Sequence, residues 1–372
     1  MKALIMIDSF KGTITSKRLG EITQEEMSKK GIDSKYYPIA DGGDGFLDAI
    51  EVFLKLKKVD IKCLDPLYRE IDSYYLYDED NKTAYIELAK ASGINLVKKE
   101  ELNPYVATTF GLGQMIESAI SNGSKKIVLG VGGSATNDGG LGMLEALGVK
   151  FFNKDNEEMS HLSNKDMRNI VRIDNSNFKK KIAKVKFLVL NDVTNPLLGE
   201  NGATYVFSPQ KGAKSEDLAV LESNMKYYSL VVSNLFGIDK SNYPGCGAVG
   251  GCGYALMTFC KAKFIPGIEY LLDLLEKNQN VDDYDMIITG EGKIDSQTLN
   301  GKVVSGISNR FKNKKIVLVC AINELENKND FNGEIYSVVP SVATSEESMA
   351  HPEECYCRLI ESIDFYKEWL YE

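Results

Sequence analysis

The chain has 372 residues, 43% of them hydrophobic and 26% charged, with a formal net charge of −9. At roughly 150 residues per domain this predicts two globular domains with a core large enough to need no staples. The negative balance argues against a nucleic-acid groove, and no run approaches the ~18 apolar residues of a membrane helix.

The N-terminal run MKALIMIDSF is too short for a signal segment and meets Asp8 at once, so a cytoplasmic protein is expected. Residues 3–7 read as a strand that ends in Asp8-Ser9-Phe10-Lys11-Gly12, and residues 15–30 read as a helix capped by Thr15 or Ser16. A second short strand is expected over 36–40, ending in Asp41-Gly42-Gly43-Asp44-Gly45, followed by a helix over about 46–57. Acidic loops at the carboxyl ends of strands lie on the edge where open α/β sheets bind ligands. From about 60 to 90 the pattern changes to hairpin-like strands, 59–63, 72–77 and 83–88, with no helix between them.

Residues 108–120 then read as a helix, feeding the most glycine-dense stretch, KKIVLGVGGSATNDGGLGMLEALG at 125–148. A strand (127–129), a Gly/Ser/Thr/Asn/Asp loop and a helix start are the parts of an anion cradle, because glycines let N–H groups approach a phosphate closely. A tight connection between strand and helix is the plain alternative. Residues 153–183 look polar and irregular, a solvated surface. The strand expected at 185–190 ends in Asn191-Asp192-Val193-Thr194-Asn195-Pro196, placing Asp192 either for chemistry or as a cap, and a long amphipathic helix follows Pro209-Gln210-Lys211-Gly212. GCGAVGGCG at 245–253 matches GxGxxG only formally, since no strand precedes it. The α/β rhythm resumes with strands at 286–289, 315–320 and 335–339, the first running into Gly290-Glu291-Gly292-Lys293-Ile294-Asp295. SQTLNGKV at 296–303 lacks both the first glycine and the final hydroxyl of a P-loop.

The predicted architecture is α/β: a Rossmann-like parallel-sheet domain built from both chain ends, 1–60 and 283–372, with a large inserted mixed α/β domain over 61–282. Only two histidines occur, His161 and His351, and the seven cysteines form no CxxC pair. Histidine bases and zinc sites are therefore disfavoured, reduced thiols are expected, and acid–base work falls to carboxylates and lysines. Five loops bearing glycines, acids or lysines suit phosphoryl transfer, which needs positioning and charge neutralisation more than covalent chemistry.

The sequence resembles the bacterial glycerate kinase family, the type that is neither P-loop nor protein-kinase-like. The resemblance is carried by DSFKG at 8–12, ADGGDG at 40–45, DPLYR at 65–69, ATTFGLGQMIESA at 107–119 and GVGGSATNDGGLGMLEALG at 130–148. It continues through NPLLGENGATYVFSPQKGA at 195–213, PGCGAVGG at 244–251 and GEGKIDSQTLNGK at 290–302. It implies transfer of the ATP γ-phosphoryl group to D-glycerate with Mg²⁺, giving 2-phosphoglycerate, in an active site between two α/β domains. Compared with the family pattern, Asp44 replaces Glu, Lys293 replaces Arg and Thr194 replaces a second Asp. Within that expectation Asp192 is the first candidate for the base, with Asp8 and Asp295 as alternatives for base or Mg²⁺ ligand. Gly132, Gly133, Ser134, Asn137 and Asp138 are candidates for the anion cradle. Lys11 and Lys293 are candidates to neutralise phosphate oxygens, Asp41, Gly42, Gly43, Gly290, Glu291 and Gly292 to bind substrate or phosphate, and Arg69 to hold the glycerate carboxylate. A kinase for a related hydroxy acid, or a non-catalytic binder of the same fold, is the alternative.

Overall fold

The computed structural model describes residues 1–10, 12–39, 42–43, 45–295, 303–325 and 333–367. Among these, the strands are β1 (Lys2–Ile7), β2 (Asp33–Tyr36), β3 (Lys57–Leu64), β4 (Glu70–Asp78), β5 (Thr83–Glu87), β6 (Lys126–Gly130) and β7 (Lys150–Phe152). They continue as β8 (Glu158–Met159), β9 (Arg172–Asp174), β10 (Lys186–Leu190), β11 (Lys263–Ile265), β12 (Met286–Ile294), β13 (Lys315–Asn323) and β14 (Glu334–Val339). The chain divides into two compact units, one of Met1–Asp41, Asp48–Phe53 and Ile268–Glu372, the other of Gly42–Leu47 and Leu54–Gly267. The terminal unit thus takes in nearly all of the helix Gly267–Asn278, which the sequence pattern had assigned to the insertion.

The terminal unit is an all-parallel sheet in the order β14-β13-β12-β1-β2. Its central strands are unbroken apolar runs, Ala3–Ile7 and Met286–Ile288 being buried throughout, as a sheet covered on both faces requires. Counted along this unit alone, the order is 2-1-3-4-5, the flavodoxin-like form of the doubly wound sheet, and the direction of winding reverses between β1 and β12. The helix Ser16–Lys29 begins where Thr15 accepts a hydrogen bond from Arg18 N–H, as its sequence predicts, and buries Leu19, Ile22 and Met27 against the sheet.

Two strand boundaries differ from expectation. The second strand is Asp33–Tyr36 rather than 36–40, because Lys2–Ile5 of β1 pairs with the more polar Asp33–Tyr36. Strand β12 runs on through Gly290–Ile294 instead of ending at Thr289, since Glu291, Lys293 and Ile294 pair with Cys320, Ile322 and Asn323. The expected helix over 46–57 is shorter, Phe46–Glu51, as Lys57 already belongs to β3.

The inserted unit holds a mixed sheet in the order β11-β10-β6-β5-β4-β3, parallel from β11 to β5 and antiparallel beyond. The region 153–183 is not irregular. It contributes β8 and β9 to a small antiparallel sheet with β7, and a helix Ser176–Ile182. Its apolar residues are sparse among charged and polar ones, yet Ile173 and Phe178 reach the main core. No helix among the described residues is long and apolar enough to cross a membrane.

Candidate functional site

In the inserted unit the carboxyl ends of β5, β6 and β10 lie side by side, Glu87 opposite Gly130 and Gly130 opposite Leu190. The Gly42-Gly43 segment packs directly onto this edge. A Cβ on Gly132 would stand 2.5 Å from Gly43 Cα, and one on Gly42, whose φ is +90°, would stand 2.9 Å from the Leu190 carbonyl oxygen. Glycine is required here because two backbones touch. Two segments read separately in the sequence, Gly42-Gly43 and the GVGGS loop, thus form one surface.

The loop after β6 has an exposed tip and a buried base. Gly133 is exposed and Gly132 half-buried, while Ser134 through Asp138 are buried. Its path is pinned from one side by Ile94 N–H donating to the Gly133 carbonyl at 2.7 Å and by Ala135 N–H donating to the Ser92 carbonyl at 3.0 Å. Ser134 is therefore the deepest polar side chain that borders the exposed tip.

Asn137 and Asp138 sit beneath the loop, fully buried and engaged with the chain. Asp138 accepts from Thr109 N–H, the Thr109 hydroxyl, Gly140 N–H and Gly142 N–H. Asn137 donates to the Ser208 hydroxyl and accepts from Asn164 Nδ2 at 3.2 Å. Their hydrogen bonds hold the loop rather than face a ligand. Burial pushes the Asp138 carboxyl up from its ordinary value, and its four donors pull it back.

Two residues that the sequence reading did not single out belong to this edge. Lys211, 2% exposed, donates from Nζ to Ser134 Oγ and to the Thr136 carbonyl oxygen, both at 2.8 Å. Burial lowers its amine from 10.5 to about 7. Glu87, 3% exposed at the end of β5, accepts from Leu47 N–H at 3.2 Å, close to Gly42-Gly43 in the chain. A buried lysine in PQKG and a buried acid closing a strand carry no local signature; only tertiary burial marks them.

Asp192 lies two residues beyond the end of β10, half-buried, with Oδ1 accepting from Gly267 N–H at 3.1 Å. Arg69 is committed elsewhere: it donates to Asp65 at 2.6 Å, to Glu101 at 3.0 Å and to the Leu96 carbonyl at 3.3 Å. These contacts tie down the Asp65–Arg69 turn.

In the terminal unit Asp8, Glu291, Gly292, Lys293 and Asp295 line one cavity of about 380 Å³. It opens where β1 and β12 end, the switch point at which doubly wound sheets bind ligands. Its far wall is apolar, including Phe10, Ile322, Val339 and Met349. Met349 and Ile322 are 69% and 37% exposed, so this part of the lining is open to solvent. Gly290 lies just inside, buried, accepting from Asp8 N–H at 2.9 Å. Lys293 pairs with Glu324 at 2.7 Å and stands 3.9 Å from Asp295. Lys11 and Asp41 lie outside the described residues.

The carboxylates of this cavity, Asp8, Glu291 and Asp295, offer only hard oxygen donors, which fit Mg²⁺. Among the described residues they do not converge into a three-ligand cage; the single such group is Glu26, Cys357 and Glu361, elsewhere in the unit.

The model of the glycerate kinase family matches residues 3–366. The glycerate kinase of Halalkalibacterium halodurans is 34% identical to this chain over 98% of each. The glycerate 2-kinase of Escherichia coli is 33% identical over 98% of this chain and 97% of its own length. A crystal structure from Salmonella typhimurium LT2, provisionally named glycerate kinase 2, matches with a TM-score of 0.79 at 31% identity, over 97% of this chain and 96% of that one. Similarity of this extent, in sequence and in fold together, makes the chain a member of the glycerate kinase family and an enzyme of the phosphotransferase class.

Proposed function

We propose that this enzyme transfers the γ-phosphoryl group of ATP to the 2-hydroxyl of D-glycerate, giving 2-phosphoglycerate and ADP. The observation that carries the reading is the switch-point cavity of the terminal unit, which combines an apolar wall with three carboxylates and a lysine. Its 380 Å³ falls within the range of small-ligand sites. The apolar wall suits a nucleobase, and the polar end suits a polyphosphate. Asp8 and Asp295 would hold Mg²⁺ there, and the cation would supply charge neutralisation for the transferred group. Lys293 adds a point charge for the same oxygens, with less geometric control than an arginine fork.

The acceptor acid is assigned to the glycine loop of the inserted unit, where Gly132, Gly133 and Ser134 offer donors to an anion. Asp192 is the residue assigned to orient the acceptor hydroxyl and accept its proton, one of its oxygens being fixed by the Gly267 N–H. Attack at the 2-position is supported by the name of the Escherichia coli relative, a glycerate 2-kinase.

An ADP-release assay with D- and L-glycerate, with and without Mg²⁺, tests the reading, followed by phosphorus NMR of the product. Magnesium-dependent release with D-glycerate and a 2-phospho product is expected. Release only with another hydroxy acid such as tartronate or erythronate reassigns the acceptor, and no release with any acid removes the kinase activity.

A further inference from the structure

Lys211 is the most deeply buried lysine of the site, and its mounting is rigid. It closes a single 3₁₀ turn, Pro209–Lys211, in which Lys211 N–H donates to the Ser208 carbonyl at 3.0 Å. Gly212 follows with φ +96°, and a Cβ there would stand 2.2 Å from the Leu102 carbonyl oxygen, so the turn cannot shift outward. Ser208 is itself held by Asn137, which lies three residues beyond Ser134 in the loop. The side chain then runs under the loop to Ser134 Oγ and the Thr136 carbonyl.

The donor count is informative. Two acceptors satisfy the two N–H groups of a neutral amine, and among the described residues no third acceptor is within hydrogen-bond reach of Nζ. Because Ser134 Oγ accepts from the lysine, its own O–H is left to donate in another direction. The exposed tip Gly132-Gly133 lies next to it in the chain.

We propose that Lys211 is the positioning residue of this loop: it clamps Ser134 and Thr136 from below so that the Ser134 hydroxyl and the Gly132-Gly133 backbone meet one small anionic group, a carboxylate or a phosphoryl. The inference rests on the reading of this loop as the anion-binding one. It adds a coupling that the reading does not contain. An anion bound above Ser134 supplies the negative charge that the buried amine lacks, so anion binding raises the affinity of Lys211 for its proton.

The titratable groups that face the amine are Asp138, from the base of the loop, and Cys252, from the helix Cys252–Thr258. Burial pushes the Cys252 thiol well up, which keeps it neutral. Asp138 is held by its four donors and forms no direct ion pair with the amine. With the lysine lowered to about 7, the free enzyme carries a mixed population of amine and ammonium near neutrality. Anion binding therefore takes up a proton above pH ~7 and takes up little well below it.

The test is titration calorimetry of the full chain with D-glycerate alone and with a non-hydrolysable ATP analogue alone, each with Mg²⁺. Buffers of different ionisation enthalpy at pH 6 to 8.5 report the protons exchanged. One ligand is expected to bind with net proton uptake that grows from pH 6 to 8.5, and which ligand it is separates a carboxylate from a phosphoryl occupant. In Lys211→Met that uptake disappears and the affinity for the same ligand falls about 10- to 100-fold, because Ser134 and Thr136 lose the buried donor that holds them, while the other ligand binds as before. Binding of both ligands with no proton uptake by the wild-type chain overturns the role of Lys211 and leaves the proposed function standing; this arm needs no variant to fold. Failure of both ligands to bind the wild-type chain overturns the proposed function and this inference together.

Discussion

Thr109 and Asp138 meet twice at one oxygen: the Thr109 N–H and the Thr109 hydroxyl both donate to Asp138 Oδ2, at 2.8 and 2.7 Å. The same carboxylate accepts from Gly140 and Gly142 N–H, each at 3.1 Å. One buried acid therefore joins the start of the helix Phe110–Ser121 to the start of the helix Leu141–Ala146. Asp138→Ala strands these donors without water, and a loss on the order of 4 kcal/mol of stability is expected in urea unfolding. Thr109→Val keeps the backbone donor and is expected to cost about 2 kcal/mol. A change under 0.5 kcal/mol in both would free Asp138 for a ligand role.

The contact between Gly132 and Gly43 makes a second prediction. Gly132→Ala must separate two backbones that allow no Cβ between them. Gly42→Ala adds left-handed strain to a similar clash at Leu190. Each is expected to cost about 1–3 kcal/mol by thermal unfolding and to impair the acceptor step more than ATP binding. Gly123→Ala, on the surface with nothing within 4 Å, serves as the strained but uncrowded control.

Asp192→Asn is expected to lower kcat by about 10²–10⁴-fold with the fold and ATP affinity retained. Steady-state kinetics at saturating ATP decide it. Near-wild-type turnover removes Asp192 from the proton-accepting role.

Ser348 lines the switch-point cavity. Ser348→Trp fills space assigned to the nucleobase, and at least a ~10-fold rise in the KM for ATP is expected, about 1.4 kcal/mol of lost binding, with the KM for glycerate unchanged. The converse pattern would move the nucleotide away from this cavity.

Lys211 also predicts how stability depends on pH. The folded amine is lowered to about 7 and the unfolded one returns to 10.5, so between these values the unfolded chain binds the extra proton. Stability then rises with pH across that window and loses the contribution as pH falls through 7. Urea midpoints at pH 7.5 and 9.5 measure this: relative to Lys211→Met, wild type is expected to gain up to about 1.4 kcal/mol per pH unit. Parallel pH profiles would mean the amine stays charged.

Much of this was written in local sequence. Continuous apolar runs such as ALIMI and MIIT specify strands covered on both faces, and Thr15 marks a helix start through its own hydroxyl. Glycines flanked by polar residues mark the carboxyl-end loops, because close backbone approach excludes other side chains. These signals are short-range, which is why they survive without knowledge of the fold, and the order of the motifs along the chain suffices to identify the family.

Tertiary structure decided what each polar residue faces. Asn137 and Asp138 read like Ser134 in the sequence, yet four donors from two helices draw Asp138 into the core while Ser134 borders the exposed tip. Arg69 reads as a candidate for the glycerate carboxylate, and only the fold adds its hydrogen bonds to Asp65 and Glu101. Strand β12 extends through GEGKI only because β13 offers it partners, and β8 and β9 form in a polar stretch only because β7 does the same. Lys211 lies in the SPQKGA stretch that carries the family resemblance, yet nothing local shows that its side chain is buried. Its depressed amine comes from burial by residues far away in sequence, a desolvation that only the folded chain can impose.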